Sequence, residues 1–510
     1  MTDAIISSAQ QGSPVPWWKQ PHLLKLNFII LSLVLFSSAN GYDGSVMGGV
    51  LALKSWNEFM DLPTGTYLGW INAIYFLGSG LAFPAGAWVS NRWGRKPGIY
   101  IGYVFVVLGV GIQAAAQNEK MFTYARLLIG ISSAWLSISA PVLLNEIAYP
   151  THRAIASALY MCGYYVGGTI SSWVTFGTRN LDSDWAWRIP ILLQIALPLV
   201  ALPGFLMAPE SPRWFISVGR SEDAAKVLAE YHAGGVVEDP IVISQMIEIE
   251  TTINAEKEAS NSGSYIDMSR TPGNRHRLAI SVGLGFISQW AGNGVVSYYL
   301  PLVLNSVGVT SVTNQTLINA CLNVWNLLWA IAAAASVDRL GRRPLFLASA
   351  VLMFVSFVIV TGLSGSFAQG GSSSVGLAVI PFLFLFFAGY DIALTPFLVA
   401  YPVEIWQFSL RSRGLTVTWI TALASIFLNT FVNGLALEQL GWKYYILFCV
   451  LLLLWIVFVW FVIPETKGHT LEQMAVVFDG EDAVPAQAVV LQEKLDEDAD
   501  VAHVDARDEK

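Results

Sequence analysis

Apolar residues in this chain come in long runs broken by short polar punctuation. Runs occur near 26–50, 66–89, 97–116, 120–145, 154–176 and 187–208, and again near 278–301, 315–336, 344–364, 376–402, 413–437 and 442–463. Each is about 20 residues, the length a helix needs to cross a bilayer at 1.5 Å per residue. The pattern predicts an all-α polytopic membrane protein with twelve transmembrane helices. The expected organisation is a tail 1–25, a six-helix half 26–208, a polar central segment 209–277, a second six-helix half 278–463 and an acidic tail 464–510. In the central segment Ser221 precedes Glu222 and Asp223, an expected N-cap with acids in the first turn. Val227, Leu228 and Tyr231 follow at helical spacing, so short amphipathic helices are expected beneath the bundle.

Charge then sets orientation. "NRWGRKP", His152-Arg153, "DRLGRRP" and Arg411-Ser412-Arg413 fall in alternate loops, and the remaining loops are nearly free of Lys and Arg or balanced by acids. The positive-inside rule therefore places both termini, the central segment and these loops in the cytoplasm. The N-terminus is polar, and no cleavable leader is expected.

The two halves echo each other. Asn91-Arg-Trp-Gly-Arg-Lys-Pro97 matches Asp338-Arg-Leu-Gly-Arg-Arg-Pro344, and Glu146 with Arg153 matches Glu404 with Arg411. Pro209-Glu210-Ser211 matches Pro464-Glu465-Thr466. A duplicated six-span unit is a carrier signature, with the site near midplane between the halves. Basic loops alone would only set topology, but positive-inside needs no Glu. Arg92, Arg95, Glu146, Arg153 and Glu210 are therefore expected to cluster with Asp338, Arg339, Arg342, Glu404, Arg411 and Glu465 as a cytoplasmic gate.

Polar groups inside spans are expensive unless they face a cavity or a partner. Gln315, Asn319, Asn323 and Asn326 lie on one face of the eighth span, and Gln289 and Asn293 are a turn apart in the seventh. Tyr160 and Tyr164 share a face of the fifth. Amides donate and accept, which suits sugar hydroxyls, and aromatic rings can cover the apolar face of a pyranose. The competing reading is that these groups join helix to helix. Asp391 lies about 20 Å down the tenth span. It is expected to bind substrate, carry a proton or bond to neighbouring helices, and a cationic substrate would also suit it.

Two opposite charges remain. Asp43 lies about 26 Å up the first span, and Arg126 about 9 Å into the fourth from the other side. Each costs about 2.5–3.5 kcal/mol alone near the bilayer centre, so pairing is expected. The pair is either a structural salt bridge or a proton switch in which protonation of Asp43 releases Arg126. Gly41 and Gly44 are expected to let the backbone adjust there.

At this point the motifs resemble the sugar porter branch of the major facilitator superfamily over about residues 25–475. "GRK", "GRR", "PESPRW" and "PETKGHTLE" carry the likeness. "YMCGYYVGGTISSWVTFGTRN", "SDWAWRIP", "SQWAGNGVVSYYL" and "YPVEI" resemble the fungal lactose permease and cellodextrin transporter group. The resemblance implies an alternating-access sugar carrier in the plasma membrane, often proton-coupled, with Asp43 and Arg126 as the coupling pair. The chain departs from the pattern at Asn91, where an acid is usual, and at Ser288-Gln289, where two glutamines are usual. Leu394 stands near where a tryptophan is usual. These departures point toward a larger or different sugar than a simple hexose.

Composition agrees and narrows the alternatives. Of 510 residues, 54% are apolar and 13% charged, about half the charged share of a soluble domain. The net charge of -8 comes from the tail, where 13 acids face 4 basic residues from Pro464 onward. That tail is expected to be solvated, with no partner assigned. Cys162, Cys321 and Cys449 lie in apolar runs, so no disulfide framework is expected. The six histidines lack metal spacing, and His469 is expected at the solvated end of the last span. Asn314-Gln-Thr316 matches a glycosylation sequon but abuts a span. No nucleophile–base pair, cofactor loop or nucleic-acid patch stands out, so an enzyme is not expected and no cofactor is implied. The leading expectation is an importer of a sugar, with lactose, cellobiose or a related hexose or galactoside compatible, coupled to protons within a lipid bilayer. A nutrient sensor on the same scaffold and an exporter of a non-sugar metabolite or amine are the alternatives.

Overall fold

The computed structural model describes residues 16–262, 264–407, 409–467 and 477–479. The side chains of Asp338 and Arg339, and His469 altogether, lie outside the described residues. Among the described residues the fold is helical. The first half contains α1 (Pro21–Val50), the short α2 (Lys54–Phe59), α3 (Gly65–Trp93), α4 (Arg95–Ala114), α5 (Glu119–Ile147) and α6 (Arg153–Thr178). It closes with α7 (Trp185–Leu192) and α8 (Ala196–Met207), joined by a 3-10 turn into one span.

The central segment holds α9 (Pro212–Ser217), α10 (Ser221–His232), α11 (Pro240–Ser262) and α12 (Asp267–Arg270). The second half contains α13 (Pro272–Trp290), α14 (Asn293–Asn305), α15 (Val312–Leu340), α16 (Arg342–Ala368), α17 (Ser373–Leu377), α18 (Val379–Ile405), α19 (Arg411–Leu440) and α20 (Tyr445–Val462).

Nine stretches among the described residues are long and apolar enough to cross a membrane, and the ninth, Arg411–Val462, contains both α19 and α20. Two spans fall short of that measure: α6, which is rich in hydroxyl and glycine residues, and the seventh, whose break leaves α14 only 13 residues long while α13 opens on the polar stretch Asn274-Arg275-His276-Arg277. The halves face each other through α3 with α19, α6 with α15 and α1 with α14. The seventh span is not one helix, as its apolar run suggested, but two. Gly292 breaks it at φ 111, and a Cβ there would fall 2.5 Å from the Phe357 ring. Only glycine fits that conformation and that space.

Local chemistry fixes several starts. Asn118 caps the Met121 N–H, Ser211 the Trp214 N–H and Thr271 the Asn274 N–H. Pro21, Pro212 and Pro272 open their helices, where a missing N–H costs nothing. Ser221 departs from expectation: it is the first helical residue rather than the cap. Its hydroxyl faces Glu250 at 3.4 Å, and Arg220 reaches Asp223 instead.

Three apolar clusters organise the bundle. One fills the second half, around Phe346, Phe357, Phe386, Phe397 and Phe448. A second joins the first half to α10 and α11 of the central segment. The third lies at the end of the bundle away from the basic loops and spans both halves, with Trp56, Phe122 and Trp187 packed alongside Tyr299.

The acidic run 493–510, expected to be solvated, lies outside the described residues. Upstream of it, Phe478 and Asp479 are docked on the second half. Asp479 pairs with Arg277 at 2.8 Å, and the Phe478 ring lies 4.5 Å beneath that guanidinium. Arg277 is fully buried and also donates to the Ile405 carbonyl at 2.8 Å. A buried guanidinium needs a counter-charge, and the tail supplies it.

Candidate functional site between the two halves

Each half carries the same device at the basic end. Gly94 and Gly341 adopt φ 101 and 88, and the next helix begins immediately after each. Glu210 accepts from the N–H groups of Arg95 at 2.9 Å and Lys96 at 3.0 Å. Glu465 accepts from those of Arg342 at 2.9 Å and Arg343 at 3.1 Å. A carboxylate thus sits on the positive end of each helix. Burial pushes the Glu465 carboxyl up, but backbone N–H donors outweigh it and hold the group below the usual carboxylate range. Arg95 then grips Glu146, and Arg342 grips Glu404. Thr466 donates to Glu404 at 2.6 Å.

These clusters differ from the expected gate in one respect: each stays within its own half. Among the described residues no hydrogen bond or ion pair joins the first half to the second at the basic end. Arg92 is exposed there, and Arg153 makes no ion pair among the described residues. Arg411 lies at the start of α19.

The halves meet instead at mid-depth and toward the opposite end. Arg179 donates to Thr313 at 3.2 Å, and Asn323 and Asn319 donate to Ser172 at 2.8 and 3.4 Å. A Cβ on Gly48 would lie 2.6 Å from the Ser297 carbonyl. Phe76 packs edge-on against Tyr298 with centroids 5.5 Å apart. Tyr165 donates to Asp391 at 2.7 Å. Among the described residues the bundle is thus joined toward one end and not at the other.

The expected amides separate into three groups. Gln315 joins helix to helix: it bonds Asn305 at 2.6 Å and the Val309 carbonyl at 2.7 Å, tying α14 to α15. Asn319 and Asn323 bridge the halves through Ser172. Gln289, Asn293 and Asn326 retain capacity. Asn293 donates to the Tyr390 hydroxyl at 3.3 Å, while its Oδ1 and the Oδ1 of Asn326 are buried with no hydrogen-bond partner. Among the described residues Gln289 reaches Ser288 alone, at 3.2 Å.

Asp391 is buried, 1% exposed; its Oδ1 accepts from Tyr165 and Thr395 and its Oδ2 has no partner. Tyr164 is 39% exposed on α6. Tyr160 packs in the apolar cluster shared with the central segment, the structural alternative to a place at the substrate.

Asp43 and Arg126 are brought together but do not touch. Both are buried, 4% and 5% exposed, and they are electrostatic neighbours with no N···O contact within 4.0 Å. The guanidinium is engaged elsewhere: Nε donates to the Ile71 carbonyl at 2.8 Å, and the group lies 5.7 Å from the Tyr75 ring centroid. Asp43 Oδ1 is buried with no partner. Gly41 and Gly44 serve close packing rather than backbone adjustment. A Cβ on Gly41 would lie on the Tyr164 carbonyl, and one on Gly44 would be 2.7 Å from the Tyr164 hydroxyl. α1 stays helical through both.

Sequence reasoning missed Tyr75, Tyr165, Tyr298, Tyr390, Thr395 and Ser172. Tyrosines look like core or interface residues in an apolar run. A usable signal was present in the adjacent pairs Tyr164-Tyr165 and Tyr298-Tyr299, the second just past the Gly292 break.

Two six-helix repeats, joined among the described residues at mid-depth and toward one end around buried polar groups, define a carrier of the major facilitator type. The chain belongs to the sugar (and other) transporter family, whose model matches residues 29–478. It is a multi-pass membrane transporter, not an enzyme. It is 30% identical to the MFS-type transporter oryC of Aspergillus oryzae, over 85% of this chain and 82% of that protein. It is 27% identical to a high-affinity glucose transporter of Kluyveromyces lactis, over 89% and 85%. Among solved structures it resembles the inward-open xylose transporter XylE from E. coli, with TM-score 0.74 at 21% identity, covering 89% of this chain and 100% of that one. Against the proton:xylose symporter XylE bound to 6-bromo-6-deoxy-D-glucose the TM-score is 0.69 at 22% identity, covering 89% and 99%.

Proposed function

We propose that this protein imports a neutral sugar by alternating access, driven by proton symport. The observation that carries the reading is the asymmetry of the inter-half contacts among the described residues: they lie at mid-depth and toward the end away from the basic loops, with unsatisfied amide and carboxylate oxygens between. That is the arrangement of a carrier open on one side. The basic loops assign the open end to the cytoplasm, with both termini there, and the plasma membrane is the membrane this importer serves. Gln289, Asn293, Asn326 and Asp391 offer the acceptors and donors a polyol needs, and the tyrosines offer rings for its apolar faces. A hexose, lactose or cellobiose fits this chemistry.

Asp43 and Arg126 are the coupling pair in this reading. Protonation of Asp43 removes its attraction for Arg126, which turns to Ile71 and Tyr75. Deprotonation draws the two together and resets the carrier. The paired arginine–carboxylate clusters keep each half rigid while the halves rock.

The test is uptake of radiolabelled D-glucose, lactose and cellobiose into vesicles with an imposed pH gradient. At least one should accumulate against its gradient. Asp43→Asn should abolish accumulation while leaving exchange intact. Accumulation by Asp43→Asn would move coupling elsewhere, and no movement of any sugar would overturn the reading. A second reading, export of a non-sugar solute, is favoured by the unpartnered oxygen of Asp391. Movement of an amine but of no sugar would establish it.

A further inference from the structure

Tyr165 and Asp391 make a hydrogen bond that joins the two halves near the centre of the bundle. Tyr165 lies twelve residues up α6 from Arg153, and Asp391 fourteen residues above the end of α18 at Ile405. Both are therefore about 20 Å from the basic end. The Tyr165 hydroxyl is 2.7 Å from Asp391 Oδ1 and 2.8 Å from the Thr395 hydroxyl, which itself donates to Oδ1 at 3.0 Å. One carboxylate oxygen is thus saturated by protein hydroxyls while the other is buried without a partner.

A buried carboxylate lacking donors is costly, and its two natural sources of donors here are protein and substrate. Tyr165 belongs to the half that moves relative to Asp391, so its donation is available only when the halves are docked as seen here. Tyr390, the neighbour of Asp391, receives Asn293 and donates to the Ser288 carbonyl at 2.7 Å. The carboxylate therefore sits beside the amides assigned to substrate.

Resting on that assignment, we infer that Tyr165 is a release residue: its hydroxyl replaces a substrate hydroxyl on Asp391 as the carrier closes at the end opposite the basic loops. Substrate and Tyr165 compete for one acceptor. Closure therefore weakens binding where the solute has to leave, and the cross-half bond stabilises the closed arrangement.

Two measurements separate this inference from the transport reading. In a background with Cys162, Cys321 and Cys449 replaced by Ala, Leu302→Cys reports on the closed end, where Leu302 packs in the cluster shared by both halves. Without any sugar, Tyr165→Phe should raise its labelling by an impermeant maleimide at least threefold. Asp391→Asn, which weakens the same bond from the other side, should also raise it. In counterflow of radiolabelled D-glucose, lactose and cellobiose, Tyr165→Phe should lower both the apparent KM and the maximal rate at least threefold. Adding Asp391→Asn should erase the difference between Tyr and Phe at 165. A tyrosine that only supports packing would reduce thermal stability and leave KM alone. Unchanged labelling, unchanged KM, or additive effects in the double variant would overturn the inference. Failure of all three sugars with labelling as expected would overturn the transport reading and leave the cross-half bond standing.

Discussion

Arg95 and Glu146 meet in a two-pronged ion pair, Nε to Oε2 and Nη2 to Oε1, each at 2.9 Å. Arg342 and Glu404 repeat it in the second half at 3.0–3.3 Å. In both, the arginine opens a helix whose first N–H groups are held by a second glutamate, Glu210 or Glu465. Arginine, first glutamate and second glutamate come from three separate spans or their ends, so the pair fixes the relative positions of helices within one half.

Glu146→Gln should therefore act on stability. The pair is 12% and 11% exposed, so removing one partner leaves Arg95 largely out of water without its counter-charge. A loss of about 2–4 kcal/mol is expected. It would appear as a lower melting temperature of the detergent-purified protein, with a matching loss in Glu404→Gln. Equal stability of wild type and both variants would show that the pairs are ornamental.

The amides should divide by function. Asn293→Ala should raise the sugar KM at least tenfold while the protein still reaches the membrane, because its Oδ1 serves nothing within the protein. Gln315→Ala should instead reduce assembly or thermal stability by about 1–3 kcal/mol, since it leaves Asn305 and the Val309 carbonyl without their donor. Identical phenotypes would erase the distinction.

The central segment should come loose in mild acid. His232 is buried, with one ring nitrogen 3.1 Å from the Ile147 carbonyl and the other against Gln245. Burial pushes its pKa down from the ordinary 6.5 to about 4. The folded state thus holds the neutral ring while the unfolded state takes up a proton. The stabilisation is complete above pH 6.5 and is lost as pH falls toward 4, at most about 3 kcal/mol. Protection factors of α10 and α11, taken relative to the intrinsic exchange rate at each pH, should fall between pH 7 and pH 5. His232→Gln should remove that dependence, and pH-independent protection in wild type would contradict the assignment.

Docking of Phe478–Asp479 predicts a cost with a partial cure. Asp479→Ala leaves Arg277 fully buried without its carboxylate and should destabilise the second half by about 3–5 kcal/mol. Replacing Arg277 by Met as well should recover much of that loss, because an apolar pair avoids the desolvation of both charges. The measurement is the melting temperature of the single and double variants. A double variant less stable than Asp479→Ala alone would refute the account.

Much of this architecture was legible in the chain. Hydrophobic length and basic loops depend on residue type alone, so the spans and their alternation could be read directly. The paired motifs around Arg95 and Arg342 were equally visible. Within each motif the partners meet because one helix start is built the same way twice. The sequence also marked Asp43, Arg126 and Asp391, since a charge in an apolar run is conspicuous whatever surrounds it.

Tertiary structure decided which partner each of these groups meets. Spacing put Asp43 and Arg126 at similar depth, but only packing shows Arg126 turned to Ile71 and Tyr75. Periodicity put Gln315 on one face with Asn319 and Asn323, but the turn between α14 and α15 claims the first, and Ser172 of the other half binds the next two. Tyr165 was invisible as a polar residue, because a tyrosine's ring suits an apolar span and its hydroxyl matters only once Asp391 arrives from 226 residues away. Depth and face follow from a helix's own 1.5 Å rise and 3.6-residue turn. Partners follow from how separate helices rotate and close on one another, and local sequence carries no such information.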